Sequence, residues 1–285
     1  MAYKSQILAP VDGGTGISSY STGDILYTSS SNTLSKLPIN EFKGSSLITD
    51  SSNVQWGTPN SYVYYFDDFF HGVNATVQNG CLFRSDFFGS SGGVGFNTGQ
   101  ANTNPGVLDA FVQVNGDGAN FYYTYNGSNT PTFFVGGGLM SFVFYSKVSA
   151  LSSGTDTYIL RIGLGDQFTS DFTNGIYFEY TDTGASHNWL VKTANSSTRT
   201  SNTTSNVVDT NFHKYEILIN AAASSVSYFI DNVQCTGSPI TTHIPSSSSG
   251  MVAMWQFNKT SGSTGVFNIC DFFSFYINLT TPRGL

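Results

Sequence analysis

The sequence predicts an all-β protein in which antiparallel strands stack as a sandwich or barrel, and three observations lead there. Aromatic residues make up 15% of the 285 positions, with 24 Phe and 16 Tyr, and side chains of this kind, together with Thr, fit pleated, half-buried surfaces. Strong helix formers are scarce, Glu occurring only at Glu41, Glu179 and Glu216. Short apolar segments recur along the chain with Gly, Asn, Ser and Asp between them, which is the pattern of many short strands joined by turns. No segment carries a convincing helical period, so a parallel α/β arrangement is disfavoured.

Composition also bounds what the chain does. Charged residues are 10%, against about 25% in an ordinary soluble domain, so solubility rests on Ser, Thr, Asn and Gly. The aromatic content demands burial and argues against disorder. The net charge is −7, with 11 Lys and Arg thinly scattered, and this excludes the clustered basic surface that phosphate neutralisation requires. Cys81, Cys235 and Cys270 are odd in number and show no zinc spacing; buried, reduced thiols are expected, in keeping with assembly in a reducing cytosol. The first residues, MAYKSQILAPVDGG, lack the apolar core of a secretory signal. No apolar run approaches the ~18 residues of a membrane span, so membrane insertion is not expected.

Taken in chain order, residues 1–60 read as short apolar pairs between turns. Asp12-Gly13-Gly14-Thr15-Gly16 is a tight turn, Ile25-Leu26-Tyr27 a short strand, and Leu34, Leu37 and Ile39 follow a Ser/Asn turn. Gly44 breaks the chain before Leu47-Ile48 and Val54 with Trp56. Nothing here supplies a core of its own, yet the repeated Leu, Ile and Tyr positions are too apolar for a solvated linker. The stretches Pro10–Gly16, Tyr20–Tyr27 and Leu34–Ile39 resemble the "GGTG … GD-LLY … L-KL" segment of phage tail-fibre and related virion fibre proteins. Gly44–Asp50 and Val54–Trp56 resemble the "G–LTSDG–V-W" unit that often follows it. The resemblance implies a virion-anchoring, trimerising segment in which Gly13, Gly14, Thr15, Gly16, Tyr27, Leu37 and Trp56 contribute. It also implies partners among other virion proteins and further copies of the chain.

Residues 61–285 supply the strands of the main domain. Tyr62–Phe70 is densely aromatic. Phe111–Val114 alternates, Asn115-Gly116-Asp117-Gly118 signals a hairpin, and Phe121–Tyr125 continues from it. Met140–Val148, Tyr158–Leu164, Gly175–Tyr180, Trp189–Thr193, Met251–Phe257 and Phe267–Leu279 add further strands. In Phe212–Asn220, His213, Tyr215, Ile217 and Ile219 share one face while Lys214, Glu216 and Leu218 share the other, the period of a strand with one buried side. Ser225–Asp231 follows as a second strand and ends in Asp231-Asn232, which replaces the usual Asp-Gly turn, since Asn also tolerates positive φ. These two segments resemble the "W-H-Y-I-I-N … V-F-Y-I-D-G" hairpin of concanavalin-like, laminin-G-like domains, and Cys270–Tyr276 resembles that family's last strand. The resemblance implies a concanavalin-like antiparallel β-sandwich (jelly roll), preceded by a small, extended, hairpin-rich anchor.

The search for chemistry finds no enzyme. Glycoside hydrolases use paired carboxylates, but the Glu-x-Asp-x-x-Glu type of pattern is missing. Asp67 and Asp68, being adjacent on a strand, point to opposite faces. Gly89-Ser90-Ser91-Gly92-Gly93 matches a nucleophile elbow only formally, because a flexible Gly-rich loop follows where a helix is required. His71, His187, His213 and His243 have no ligand spacing. No cofactor is expected beyond a calcium ion, for which oxygen ligands are plentiful, with Asn115 and Asp117 in one turn and Asp166, Asp171 and Asn174 in another, although Asp/Asn turns are normally just turns. Sugar recognition combines aromatic faces with Asn or Asp for hydroxyls, and two loops supply both: Asp117, Tyr125 and Asn126 in one, Tyr180, Asp182, His187 and Trp189 in the other. The expectation is a structural fibre or spike protein, assembled in the host cytoplasm, exposed on the particle, homotrimeric, and attached to a host-surface glycan without catalysis. A capsid-decorating head fibre with no ligand and a polysaccharide depolymerase are the alternatives.

Overall fold

The computed structural model describes residues 17, 19, 21–22, 24–30, 33–38, 47–49, 54–56, 62–69, 83–97, 106–123, 131–181 and 187–280. The chain divides into two units, Met1–Ser61 with Pro282–Leu285, and Tyr62–Thr281. The described residues contain strands and no helix, hence no helix long and apolar enough to cross a membrane.

In the first unit, β1 (Ile25–Ser30) and β2 (Thr33–Leu37) form one antiparallel hairpin, with Ile25 opposite Leu37 and Tyr27 opposite Ser35. A second pair joins β3 (Leu47–Thr49) to β4 (Val54–Trp56). Tyr27 and Leu37 are half-buried, and Trp56 ends β4 opposite Leu47. Gly13, Gly14, Thr15 and Gly16 lie outside the described residues.

The second unit begins with β5 (Tyr62–Asp67), β6 (Phe83–Phe88), β7 (Gly93–Asn97), β8 (Val107–Val112) and β9 (Gly118–Tyr123). The long strands β10 (Gly138–Val148), β11 (Thr157–Gly165), β12 (Gly175–Thr181), β13 (Asn188–Asn195) and β14 (Thr198–Val207) follow. It closes with β15 (His213–Ile219), β16 (Val226–Ile230), β17 (Val233–Gln234), β18 (Val252–Ser261) and β19 (Val266–Leu279). One sheet runs β17-β16-β15-β10-β19-β8-β7, with β5 also paired to β19; the other runs β14-β13-β12-β11-β18-β9-β6. The named pairings are antiparallel.

The expected period of two appears where one face is buried. Tyr215, Ile217 and Ile219 of β15 and Val226, Tyr228 and Ile230 of β16 point inward. Asp231 and Asn232 turn the chain between β16 and β17, both at positive φ. The inner faces of the two sheets meet in one core cluster. Trp255 lies at its centre, edge-on to Phe144 at 5.0 Å, while Phe83 stacks on Phe121 at 4.7 Å; such pairs add to the gain from area burial. Cys235 and Cys270 are free and buried. Burial pushes the Cys235 thiol up to about 11 and that of Cys270 well above its ordinary value. Cys81 lies outside the described residues.

Two local expectations are corrected. The Asn115–Gly118 turn does not close a hairpin: β8 belongs to the eight-stranded sheet and β9 to the seven-stranded one, so this turn is the corner where the chain changes sheets. The Gly-rich stretch after Ser91 is not a loop throughout, because Gly93–Asn97 pairs with β8 as β7.

Candidate functional site

The strand register of the seven-stranded sheet assembles a polar row on its outer face. Asp86, Asn120, Gln256, Arg161 and Glu179 are successive cross-strand partners on β6, β9, β18, β11 and β12. The neighbouring row brings Tyr122, Met254, Gly163, Tyr177 and Lys192 together in the same way. Alternation makes this face: Leu160 and Ile162 point into the core, so Arg161 points out.

Most of this outward face is nevertheless buried, because the β11–β12 connection, residues 166–174, folds back over it. Gln256 Nε2 donates to the carbonyls of Gln167 (3.0 Å) and Ser170 (2.9 Å), and Asn120 Nδ2 donates to that of Phe168 (2.6 Å). Phe168 packs on Tyr122 and Phe172 edge-on to Tyr177, each at 4.6 Å. Beneath this cover Glu179 sits between two cations, Arg161 Nε at 2.6 Å and Lys192 Nζ at 2.5 Å. Arg161 also donates to Gln256 and lies 3.2 Å from Asp171, which pairs with Arg199 at 2.9 Å. Burial alone would raise the Asp171 pKa, but Arg161, the Tyr177 hydroxyl, Lys192 and Arg199 more than offset it and hold the carboxyl below its ordinary value. Carboxylate-pair hydrolysis needs one carboxyl kept protonated as the general acid. Here Asp171 is held ionised, and its pairs with Arg161 and Arg199 fasten the loop to the sheet.

At the edge of the covered region lies an open depression of about 260 Å³, bounded by Phe88, Ile159, Arg161 and Asn258 and by the exposed residues Thr169, Ser170 and Thr260. It is smaller than the ~300–1,000 Å³ of sites for drug-sized ligands. Asn258 Oδ1 is buried there without a hydrogen-bond partner, and an unmet buried acceptor costs free energy that a donor recovers.

The residues expected to touch sugar are placed differently from the expectation. Asp117 borders this depression, but it is 1% exposed and its carboxylate is already used. Oδ1 accepts the backbone N–H groups of Ser90 (2.9 Å) and Ser91 (3.1 Å), and Oδ2 those of Gln113 (3.1 Å) and Val114 (2.8 Å). Burial acts to raise its pKa, but these four donors outweigh burial and leave it lowered. Asp117 is therefore the brace of the sheet-changing corner and not a surface contact. Tyr180 and Trp189 are core residues, 0% and 2% exposed; Tyr180 packs edge-on to Tyr158, and Trp189 packs on Tyr215 at 4.9 Å. A single Trp189 edge reaches a second depression, of about 240 Å³, with Asn206, His213, Ile230 and Asp231. Tyr125, Asn126 and Asp182 lie outside the described residues. The calcium-like oxygens are likewise engaged: Asp166 accepts the N–H groups of Thr173 and Asn174. Among the described residues, no three Asp, Glu, His or Cys side chains converge as a metal ion would require.

No family model and no curated protein matches the sequence. Solved structures match the fold. A protein of unknown function from Shewanella oneidensis MR-1 superposes with a TM-score of 0.58 at 10% identity, over 79% of this chain and 90% of that one. A carbohydrate esterase of the Shiga toxin-encoding bacteriophage phi24B (TM-score 0.42, 15% identity, 69% and 90% covered) and the apo Crh5 transglycosylase (0.44, 15%, 77% and 85%) are more distant. The chain is an all-β protein of antiparallel, jelly-roll sandwich architecture. At such identity a shared fold does not transfer an activity.

Proposed function

We propose that this chain is a structural fibre or spike component of a virus particle, anchored through its first unit, whose sandwich holds a host-surface glycan without cleaving it. The observation that carries the glycan reading is the depression at Phe88, Asn258, Thr169, Ser170 and Thr260, where an unpartnered buried acceptor is ringed by exposed hydroxyls beside an aromatic wall. Those are the groups that meet a sugar's alternating hydroxyls and apolar C–H faces, and the cavity suits about one sugar residue. The fibre reading rests on the Gly13–Gly16 and Tyr20–Tyr27 motifs and on hairpins too small to bury a core alone.

The test is a glycan array probed with the full chain, repeated with Asn258→Ala and with Thr169→Ala/Ser170→Ala. Binding to a defined glycan that falls about tenfold or more in these variants, the loss of one or two hydrogen bonds, is the expected result. An empty array, with antibody against residues 61–285 labelling the capsid shell, moves the assignment to a decorating head fibre. Release of oligosaccharide product moves it to a depolymerase.

A further inference from the structure

The β14–β15 connection and the β16–β17 turn meet at one histidine. His213, the first residue of β15, lies with Nδ1 2.6 Å from Asp231 Oδ2 and Nε2 3.0 Å from Asp209 Oδ1. A neutral imidazole has one N–H and one lone pair, so it satisfies one of these carboxylates and turns a lone pair toward the other; only the imidazolium donates to both. Asp231 is fixed to β15 beside His213, and Asp209 to its own connection. Asp231 Oδ1 accepts the Lys214 N–H at 2.9 Å, in a turn whose two residues are both at positive φ, and Asp209 Oδ1 accepts the Asn211 N–H at 2.6 Å. The ring and Asp231 form one wall of the 240 Å³ depression, with Val207 and Val233 at its exposed rim.

The other charged groups here include Lys147 of β10, whose Nζ lies 4.6 Å over the Phe212 ring while Tyr145 stacks on that ring at 5.3 Å, so the Phe212 end of the connection is held independently of His213. Lys214 Nζ is directed to Asn232 Oδ1 (2.7 Å) and Glu216 (2.9 Å). Asp271 of β19 faces the Tyr145 hydroxyl of β10, on which Asp231 also acts. Trp189 and Tyr215 supply the apolar side of the cluster.

We propose that His213 is a protonation-controlled clasp: as imidazolium it ties the connection at Asp209 to the turn at 231–232 beside this depression, and its deprotonation frees the Asp209 side. Burial acts to lower the His213 pKa, but Asp231 and Asp209 more than offset it, leaving it above the ordinary value of 6.5. The stabilisation is thus fully present below the unfolded-state value and is lost as pH rises through the folded one. The clasp is shut in mild acid and released toward alkaline pH. It uses none of the residues assigned to the glycan, so the two readings stand or fall separately.

The experiment is an NMR titration of the His213 ring nitrogens in the full chain from about pH 5 to about pH 9. Amide exchange of residues 208–212 and 231–234 is followed alongside. The expected result is a His213 titration above 6.5, with exchange in 208–212 rising about tenfold beyond the intrinsic pH effect as the ring deprotonates. Asp209→Ala, in an exposed connection, lowers the His213 pKa and leaves the Asp209 side open at every pH; His213→Gln removes the pH dependence. A wild-type His213 titrating at or below 6.5, or exchange in 208–212 that follows only the intrinsic pH effect, overturns the proposal without any variant having to fold.

Discussion

Replacing Asp117 by alanine removes the acceptor of four backbone N–H groups at the corner where the chain passes between sheets. A hydrogen bond to a charged group contributes about 1.5–3 kcal/mol, but such terms are not additive, and water reaches the exposed Ser90 side. The expected net loss is about 3–5 kcal/mol for Asp117→Ala. Asp117→Asn keeps one carbonyl oxygen for one pair of donors and sets an NH₂ group against the other pair, so about half of that loss is expected. Urea unfolding followed through the fluorescence of the buried Trp189 and Trp255 reads both changes as midpoint shifts at constant slope. Because the folded pKa of Asp117 is depressed, the wild-type advantage is present above the ordinary carboxylate value and is lost as pH falls through the lowered one. Gly89, at φ +88°, belongs to the same unit: a Cβ there would lie 2.3 Å from Asp117 Oδ1. Because that Cβ would also lie 2.7 Å from the Asp117 Cα, Gly89→Ala should destabilise in the Asp117→Ala background as well as in the wild type. A loss below about 1 kcal/mol for Asp117→Ala, or an Asn variant as stable as the wild type, refutes the bracing role.

Glu179→Gln leaves Lys192 beside a neutral partner and Arg161 with Asp171 alone, and a destabilisation of about 2–4 kcal/mol is expected in the same urea assay; stability unchanged from wild type would show the ion pairs to be ornamental. The exposed aromatic row formed by Tyr62, Tyr64, Phe66 and Tyr276, 37–62% exposed, is where the homotrimer implied by the fibre resemblance is put to the test. Light scattering should give three times the 30.7 kDa of one chain, with Tyr64→Lys/Tyr276→Lys shifting the mass downward, and a wild-type monomer would sink the trimer.

What the sequence disclosed, and what it hid, follows from how far each signal reaches. β10, β15 and β16 were legible because one buried face imposes a period of two on each strand. β14 was not: in Thr198–Val207 most side chains are Ser, Thr or Asn on both faces, since it is an edge strand with little core to fill. The corner at Asn115–Asp117 was misread because the same turn chemistry serves a hairpin and a change of sheet, and strand partners are chosen by packing far away in sequence. Trp189 and Tyr180 looked like sugar platforms for a related reason, as composition does not tell an aromatic facing solvent from one facing Tyr215 or Tyr158. Arg161 and Lys192 went unremarked and Glu179 was noted only as one of three scattered Glu, although a signal was there: in a chain with so few charges, each stands in mid-strand. That they are neighbours depends on the register of β11, β12 and β13, which no local pattern records.

The sequestration of cations has a consequence for degradation. Trypsin-like proteases cut after Lys or Arg, and only where the chain can be drawn out into the enzyme's cleft. Arg161 and Lys259 are buried within paired strands, and Lys192 is engaged beneath the covering loop. Cutting at any of them requires the sheets to separate first, so digestion inside the sandwich proceeds no faster than its opening. Arg84, Lys147, Arg199 and Lys214 are only half-buried, so first cuts in the folded domain are confined to these positions, and the strands that carry Arg161 and Lys259 stay closed to such enzymes until the sheet opens.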